Sequence, residues 1–184
     1  MGFFKRKERK PDETSRLDWR LMERGAIALY HKPSILAQDA AWLKANGYRV
    51  LDLDGGLWTT PAEFHADAQR VLNFPAHYSR NLAGWVDCVA ELDVPDEGGL
   101  AIQFRRYDKF AAAQPQLAQT ILDSLESTSR RFLLTGRRLL ALVQSDNPRI
   151  RFERVGALPV TWNPREWSDA DRGVGSGGAA AGIA

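Results

Sequence analysis

The sequence predicts an α/β fold, a small and mainly parallel sheet of three to four strands packed by helices. Three observations predict it. Short apolar runs suited to buried strands alternate along the chain with longer stretches of helical periodicity. Turn residues stand at nearly every junction. The segments between successive apolar runs are helical, and strands separated by helices pair in parallel.

The elements follow in order. Ile27-Ala28-Leu29-Tyr30 is a short buried strand, and Pro33-Ser34 opens a helix with Ile35, Leu36, Ala40 and Leu43 at helical spacing, ended by Asn46-Gly47. Tyr48 to Leu53 is the second strand, closed by Asp54-Gly55-Gly56. Thr60-Pro61-Ala62-Glu63 has the form of an N-cap followed by proline at the first helical position, and that helix runs to about Leu72 before Asn73-Phe74-Pro75 breaks it. A further helix covers about Leu82 to Leu92, and a loop from Asp93 leads to a strand from Leu100 to Phe104. A long helix from Gln116 to about Leu134 stops at Gly136, a suitable residue just past a helix end, and Leu139 to Val143 is a buried strand. After the turn Asp146-Asn147-Pro148, Ile150 and Phe152 alternate with Arg149, Arg151 and Arg154, a half-exposed pattern able to pair antiparallel at an edge. Leu158 to Trp162 is a further strand candidate.

The chain has 184 residues with 44% hydrophobic content, enough for one domain with a real core plus tails. Residues 1–24 form a charged basic extension, residues 25–168 the domain, and residues 169–184 a Gly/Ala-rich tail expected to be disordered. Charge is segregated. Residues 1–24 carry eight Lys/Arg against five Asp/Glu, residues 46–97 three against nine, and residues 98–154 ten against five. Such segregation speaks of partners more than the net +2 does. One cysteine, Cys88, asks for no oxidising compartment, no apolar run approaches a membrane span, and the N-terminus lacks a secretory core, so the reading is cytoplasmic with no membrane partner.

The informative stretch is Phe74 to Leu92. Asn81 is placed to cap the helix that follows. Leu82, Trp85, Val86, Val89 and Leu92 fall on one stripe expected to face the core, which turns Asp87 outward with Ala83, Gly84, Ala90 and Glu91 beside it. An acid among small residues lets another surface approach closely, and a desolvated acid rewards a basic partner.

Pro75, Tyr78, Asn81, Leu82, Asp87 and Cys88 keep the register of a motif, and over about residues 48–144 the order of elements around them resembles the barstar family. The resemblance implies a three-layer α/β domain. It implies an inhibitor or immunity protein that masks the active site of a ribonuclease or related toxin, as the archetype does when it pushes an acidic helix and the preceding loop into a basic cleft. By correspondence, the partner-binding residues are Asp87 as the central acid, with His77, Tyr78, Ser79, Asn81, Leu82, Ala83, Gly84, Val86 and Glu91. Ala83 stands where the archetype has a second inhibitory acid, and Arg131 where it has a contact Glu. Both departures argue against barnase itself as the target.

No metal, cofactor, small-molecule substrate or catalytic role is expected. His31, His65 and His77 show no metal-ligand spacing among themselves or with Cys88, Gly55-Gly56 and Gly98-Gly99 read as turns, and no paired catalytic carboxylates or nucleophile motif is present. His65 reads as structural and Cys88 as a buried, inert thiol. The alternative function is a regulatory or nucleic-acid-binding module working through the basic half, Arg105-Arg106, Arg130-Arg131, Arg137-Arg138 and Arg149/Arg151/Arg154, with Tyr107, Phe110 and Phe152 as the nearby aromatics.

Overall fold

The computed structural model describes residues 16–174. The extreme basic N-terminus and most of the Gly/Ala-rich tail lie outside the described residues. The chain runs α1 (Leu17–Met22), β1 (Ile27–Tyr30), α2 (Pro33–Ala45), β2 (Tyr48–Asp54), α3 (Pro61–Val71), α4 (Leu82–Ala90), β3 (Gly99–Arg105), α5 (Tyr107–Ala113), α6 (Pro115–Leu133), β4 (Leu139–Gln144) and β5 (Thr161–Trp162). Five strands form one sheet in the order β2-β3-β4-β1-β5, and every pairing is parallel.

Alternation along the strands divides the core in two. Ala28, Tyr30, Ala101, Leu140 and Leu142 meet Leu17 and Leu21 of α1 and Leu36 and Leu43 of α2 on one face. Leu29, Ile102, Phe104, Ala141 and Val143 meet Phe64, Trp85, Val89, Phe110, Ile121 and Leu125 on the other. The result is three layers, and the central strands are mainly apolar because both faces are covered.

The sheet is one strand larger than the sequence predicts, and the antiparallel edge strand at Ile150–Phe152 does not form. Gln119 of α6 explains the second point: its amide donates to the Glu153 carbonyl at 3.3 Å and accepts from the Glu153 N–H at 3.0 Å. Those are the groups a neighbouring strand would have taken. Thr161–Trp162 instead extends the sheet beside β1. Helix α5 is also additional. It starts from Arg106, which adopts a left-handed φ of 50° and donates its N–H to Gln144 Oε1 at 2.7 Å. The charged extension read up to residue 24 overlaps the packed body, because α1 buries Leu17, Asp18 and Leu21.

Four buried carboxylates stitch the outer segments together and onto the rest. Glu126 of α6 accepts the Ala26 N–H at 2.6 Å and Arg130 Nε at 3.1 Å. Asp18 accepts the Tyr48 hydroxyl at 2.9 Å and pairs with Arg16. Asp39 takes the Tyr30 hydroxyl at 3.0 Å, Asn163 Nδ2 at 2.7 Å and the Arg165 guanidinium. Glu166 takes the backbone N–H groups of His31 and Lys32 at 3.1 and 2.7 Å, where α2 begins and orphan donors and the helix dipole favour an anion.

Candidate functional site

Helix α3 prepares the ground. Its Thr60/Glu63 capping box forms in full, and hydrogen bonds from Thr59 and Thr60 hold the Glu63 carboxyl at about 2, below its ordinary 4.5. The same helix braces the loop that follows. Gln69 donates from Nε2 to the Pro75 carbonyl at 3.0 Å and accepts Arg80 Nε at 3.0 Å, so one side chain holds the loop at both ends. Within the loop, Asn73 and Arg80 adopt left-handed φ values of 55° and 50°.

Tyr78 turns inward. It is 6% exposed, packs edge-on against Phe74, and its hydroxyl meets His65 Nδ1 at 2.5 Å. Tyr78 therefore packs the loop onto the core while also lining a cleft along α4. Burial pushes the Tyr78 hydroxyl up and holds the His65 imidazole below its usual value, which keeps both neutral.

Asn81 caps α4, accepting the Gly84 N–H at 2.9 Å and the Ser79 hydroxyl at 3.1 Å on the same Oδ1. A β-carbon at Gly84 would collide with Ser79 Oγ and sit 3.3 Å from the Tyr78 ring. Gly84 thus lets the loop lie directly on the helix, a reason different from the partner approach that the sequence suggests. Trp85 and Val89 are wholly buried, and Trp85 Nε1 donates to Ser124 Oγ of α6 at 2.7 Å. Leu92, just beyond the helix, is buried too.

Leu82 and Val86, expected on the core stripe, are instead 39% and 41% exposed. Val86 lies about 100° around the helix from Trp85, and Leu82 belongs to the first turn at the surface. Both join the outer face with Ala83, Asp87 and Glu91, all exposed.

A cleft of about 540 Å³ runs along this face, lined by His77, Tyr78, Ser79, Gly84, Val86, Asp87, Cys88, Ala90, Glu91 and Arg131. Most of the sequence-derived site residues meet here. Asn81, Leu82 and Ala83 lie outside the cleft, at the start of α4. The side chains of His77, Asp87, Glu91 and Arg131 make no hydrogen bond or ion pair among the described residues. Cys88 is half-buried rather than buried, and burial, with Glu91 and Asp87 nearby, raises its thiol and suppresses the reactive thiolate. His65 has the structural role read from the sequence, but its partner Tyr78 and the second support, Gln69, were missed. His65 and Gln69 stand four residues apart on one face of α3, yet nothing local shows that the loop folds back onto that face.

A family model described as barstar (barnase inhibitor) matches residues 48–144. The chain belongs to the barstar family. The match spans β2 to β4 with α3, α4, α5 and α6, so the barstar unit supplies both the braced loop and the cleft. A search of curated proteins found no match. Strands β1 and β5 lie outside the matched segment and extend the sheet beyond β4.

Part of the basic half is engaged internally. Arg105 and Arg106 pair with Asp52 and Asp54, Arg130 with Glu126, and Arg138 donates to the Gly98 carbonyl at 2.8 Å. Among the described residues no group of three His, Cys, Asp or Glu side chains is placed to hold a metal ion, and no helix is long and apolar enough to cross a membrane.

Proposed function

We propose that this chain is a cytoplasmic inhibitor or immunity protein that masks the active site of a ribonuclease or related toxin with residues 74–81 and α4. The observation that carries the reading is the pairing of a rigid support with unsatisfied charge. The loop is held by Gln69, His65 and the Asn81 cap, while Asp87 lines the cleft, exposed and without a side-chain partner among the described residues. A preorganised surface loses little conformational entropy on docking. A carboxylate without an internal partner keeps its full electrostatic reward for a cation brought by the target.

Arg131 shapes the choice of target. It shares the cleft with Asp87 and Glu91, so the complementary surface presents cations to the two acids and an acceptor to the arginine. A uniformly basic cleft matches less well, in line with a target other than barnase.

The test is a pull-down from a lysate of the organism that encodes the chain, wild type beside Asp87→Ala, followed by a ribonuclease assay and titration of the captured enzyme. The expected result is stoichiometric inhibition by wild type, weakened by more than about 2 kcal/mol in the variant. Equal affinity of both proteins for the captured nuclease would remove Asp87 from the interface.

A further inference from the structure

A second groove, of about 480 Å³, lies by β5, outside the barstar unit's cleft, and its lining includes Arg149, Arg151, Phe152 and Trp162. Both arginines are exposed, and neither side chain makes a hydrogen bond or ion pair among the described residues. This sets them apart from Arg105, Arg106 and Arg130, whose guanidinium groups are held by Asp54, Asp52 or Glu126. The one acid in the lining, Asp169, is already engaged by Arg172. Arg172 is 7% exposed and is further fixed by carbonyls of Pro148, Glu166 and Trp167, with its guanidinium 4.4 Å from the centre of the Trp162 ring. Among the described residues the groove therefore has its single negative charge neutralised from within, and two cations left over.

Positive charge alone would suit any anion. The rings choose among anions. Phe152 and Trp162 each pack part of their surface on the core, and Arg172 lies over the Trp162 ring, yet both remain partly exposed in the same groove as two arginines unpaired among the described residues. An acidic peptide has no flat group to set against them, whereas a nucleobase stacks on an aromatic or guanidinium surface while its phosphates meet cations. We propose that this groove binds single-stranded nucleic acid, with Arg149 and Arg151 on successive phosphates and a base against Phe152 and Trp162. The site is independent of the inhibitor reading, because it shares no residue with the cleft at Asp87.

The test uses the full chain and a short fluorescein-labelled RNA followed by anisotropy across a salt series. Unlabelled RNA and polyglutamate of equal charge serve as competitors, and Asp87→Ala is the control for the other face. The expected result is binding that weakens with salt, is displaced by RNA but not by polyglutamate, and is unchanged in Asp87→Ala. The double variant Arg149→Glu/Arg151→Glu should bind at least about tenfold more weakly. Its plot of log affinity against log salt should be shallower by about 0.7 for each phosphate no longer neutralised. Arg149→Gln/Arg151→Gln, which removes charge without reversing it, should show the same trend if the glutamate variant does not fold. No binding at low salt, equal displacement by polyglutamate, or unchanged affinity in the folded double variant would each overturn the proposal.

Discussion

Two sets of carboxylates divide this molecule. At the seams of the outer segments, Asp18, Asp39, Glu126 and Glu166 are buried, and each is supplied with donors from elsewhere in the chain. On the α4 face, Asp87 and Glu91 are exposed and have none among the described residues. Burial of an ionised group is tolerable only where hydrogen bonds replace the lost water. The first set has been desolvated by folding and its electrostatic worth is already used to join β1, α2 and the C-terminal segment. The second remains hydrated, and only an arriving partner can desolvate it. On the proposed reading, acids of identical chemistry become structural or recognition groups according to when they lose their water.

The sharpest way to break this contrast is at Glu166. Glu166→Ala leaves the His31 and Lys32 N–H groups without their acceptor, and a hydrogen bond to a charged group is worth roughly 1.5–3 kcal/mol. The expected loss of stability is about 3 kcal/mol by urea denaturation, with Glu166→Gln losing less because its amide oxygen still accepts. A loss below about 1 kcal/mol would mean that the carboxylate is not what holds this seam.

The converse experiment is at Asp87. Asp87→Ala should leave the urea midpoint within about 0.5 kcal/mol of wild type, as for a surface change away from special features. Its cost should appear only in the complex, at more than about 2 kcal/mol. A large loss of stability would place Asp87 with the structural acids.

The sequence made β1, β3 and β4 legible because these inner strands are covered on both faces and so read as mainly apolar runs, while the edge strand β2 was legible from its closing turn Asp54-Gly55-Gly56. It showed the outward direction of Asp87 through helical spacing, and the Asn81 cap through residue type. It offered Leu158 to Trp162 as a strand but did not show that only Thr161–Trp162 would pair, because that depends on β1. Nor did it show the fate of residues 150–154, which turns on Gln119, 34 positions from Glu153. The inward turn of Tyr78 and the true neighbour of Gly84 were hidden for the same reason. Both depend on the loop folding back onto α3 and α4, and alternation and propensity describe only local segments.

Gly84 allows a finer test, because two effects oppose each other there and the steric one is the larger. Alanine is favoured over glycine inside a helix by about 1 kcal/mol. The new β-carbon, however, collides with Ser79 Oγ and crowds the Tyr78 ring. Gly84→Ala alone should destabilise by about 1 kcal/mol, as overpacking does, and should loosen residues 74–81 in hydrogen exchange. In a Ser79→Ala background the obstructing hydroxyl is gone, and the same substitution should become neutral or stabilising. Additive effects of the two substitutions would show that Gly84 is not there to seat the loop.

The smallest expected effect concerns acid. Glu63 holds the start of α3, the helix that carries both loop braces, and its carboxyl lies at about 2 against an ordinary 4.5. Because the folded value is the lower one, its contribution is complete above about 4.5 and fades as pH falls toward 2. His65 adds a window at higher pH. Burial lowers its value below the ordinary 6.5, so stability is full above that pH and declines as acid forces a proton onto the buried ring. Glu63→Gln should remove the lower window and leave the upper one, read as urea midpoints across a pH series. Since α3 braces the loop, acid should also loosen residues 74–81 before it unfolds the seams fixed by Glu126 and Glu166. Simultaneous loss of exchange protection in both regions would show that the loop and the seams unfold as one unit.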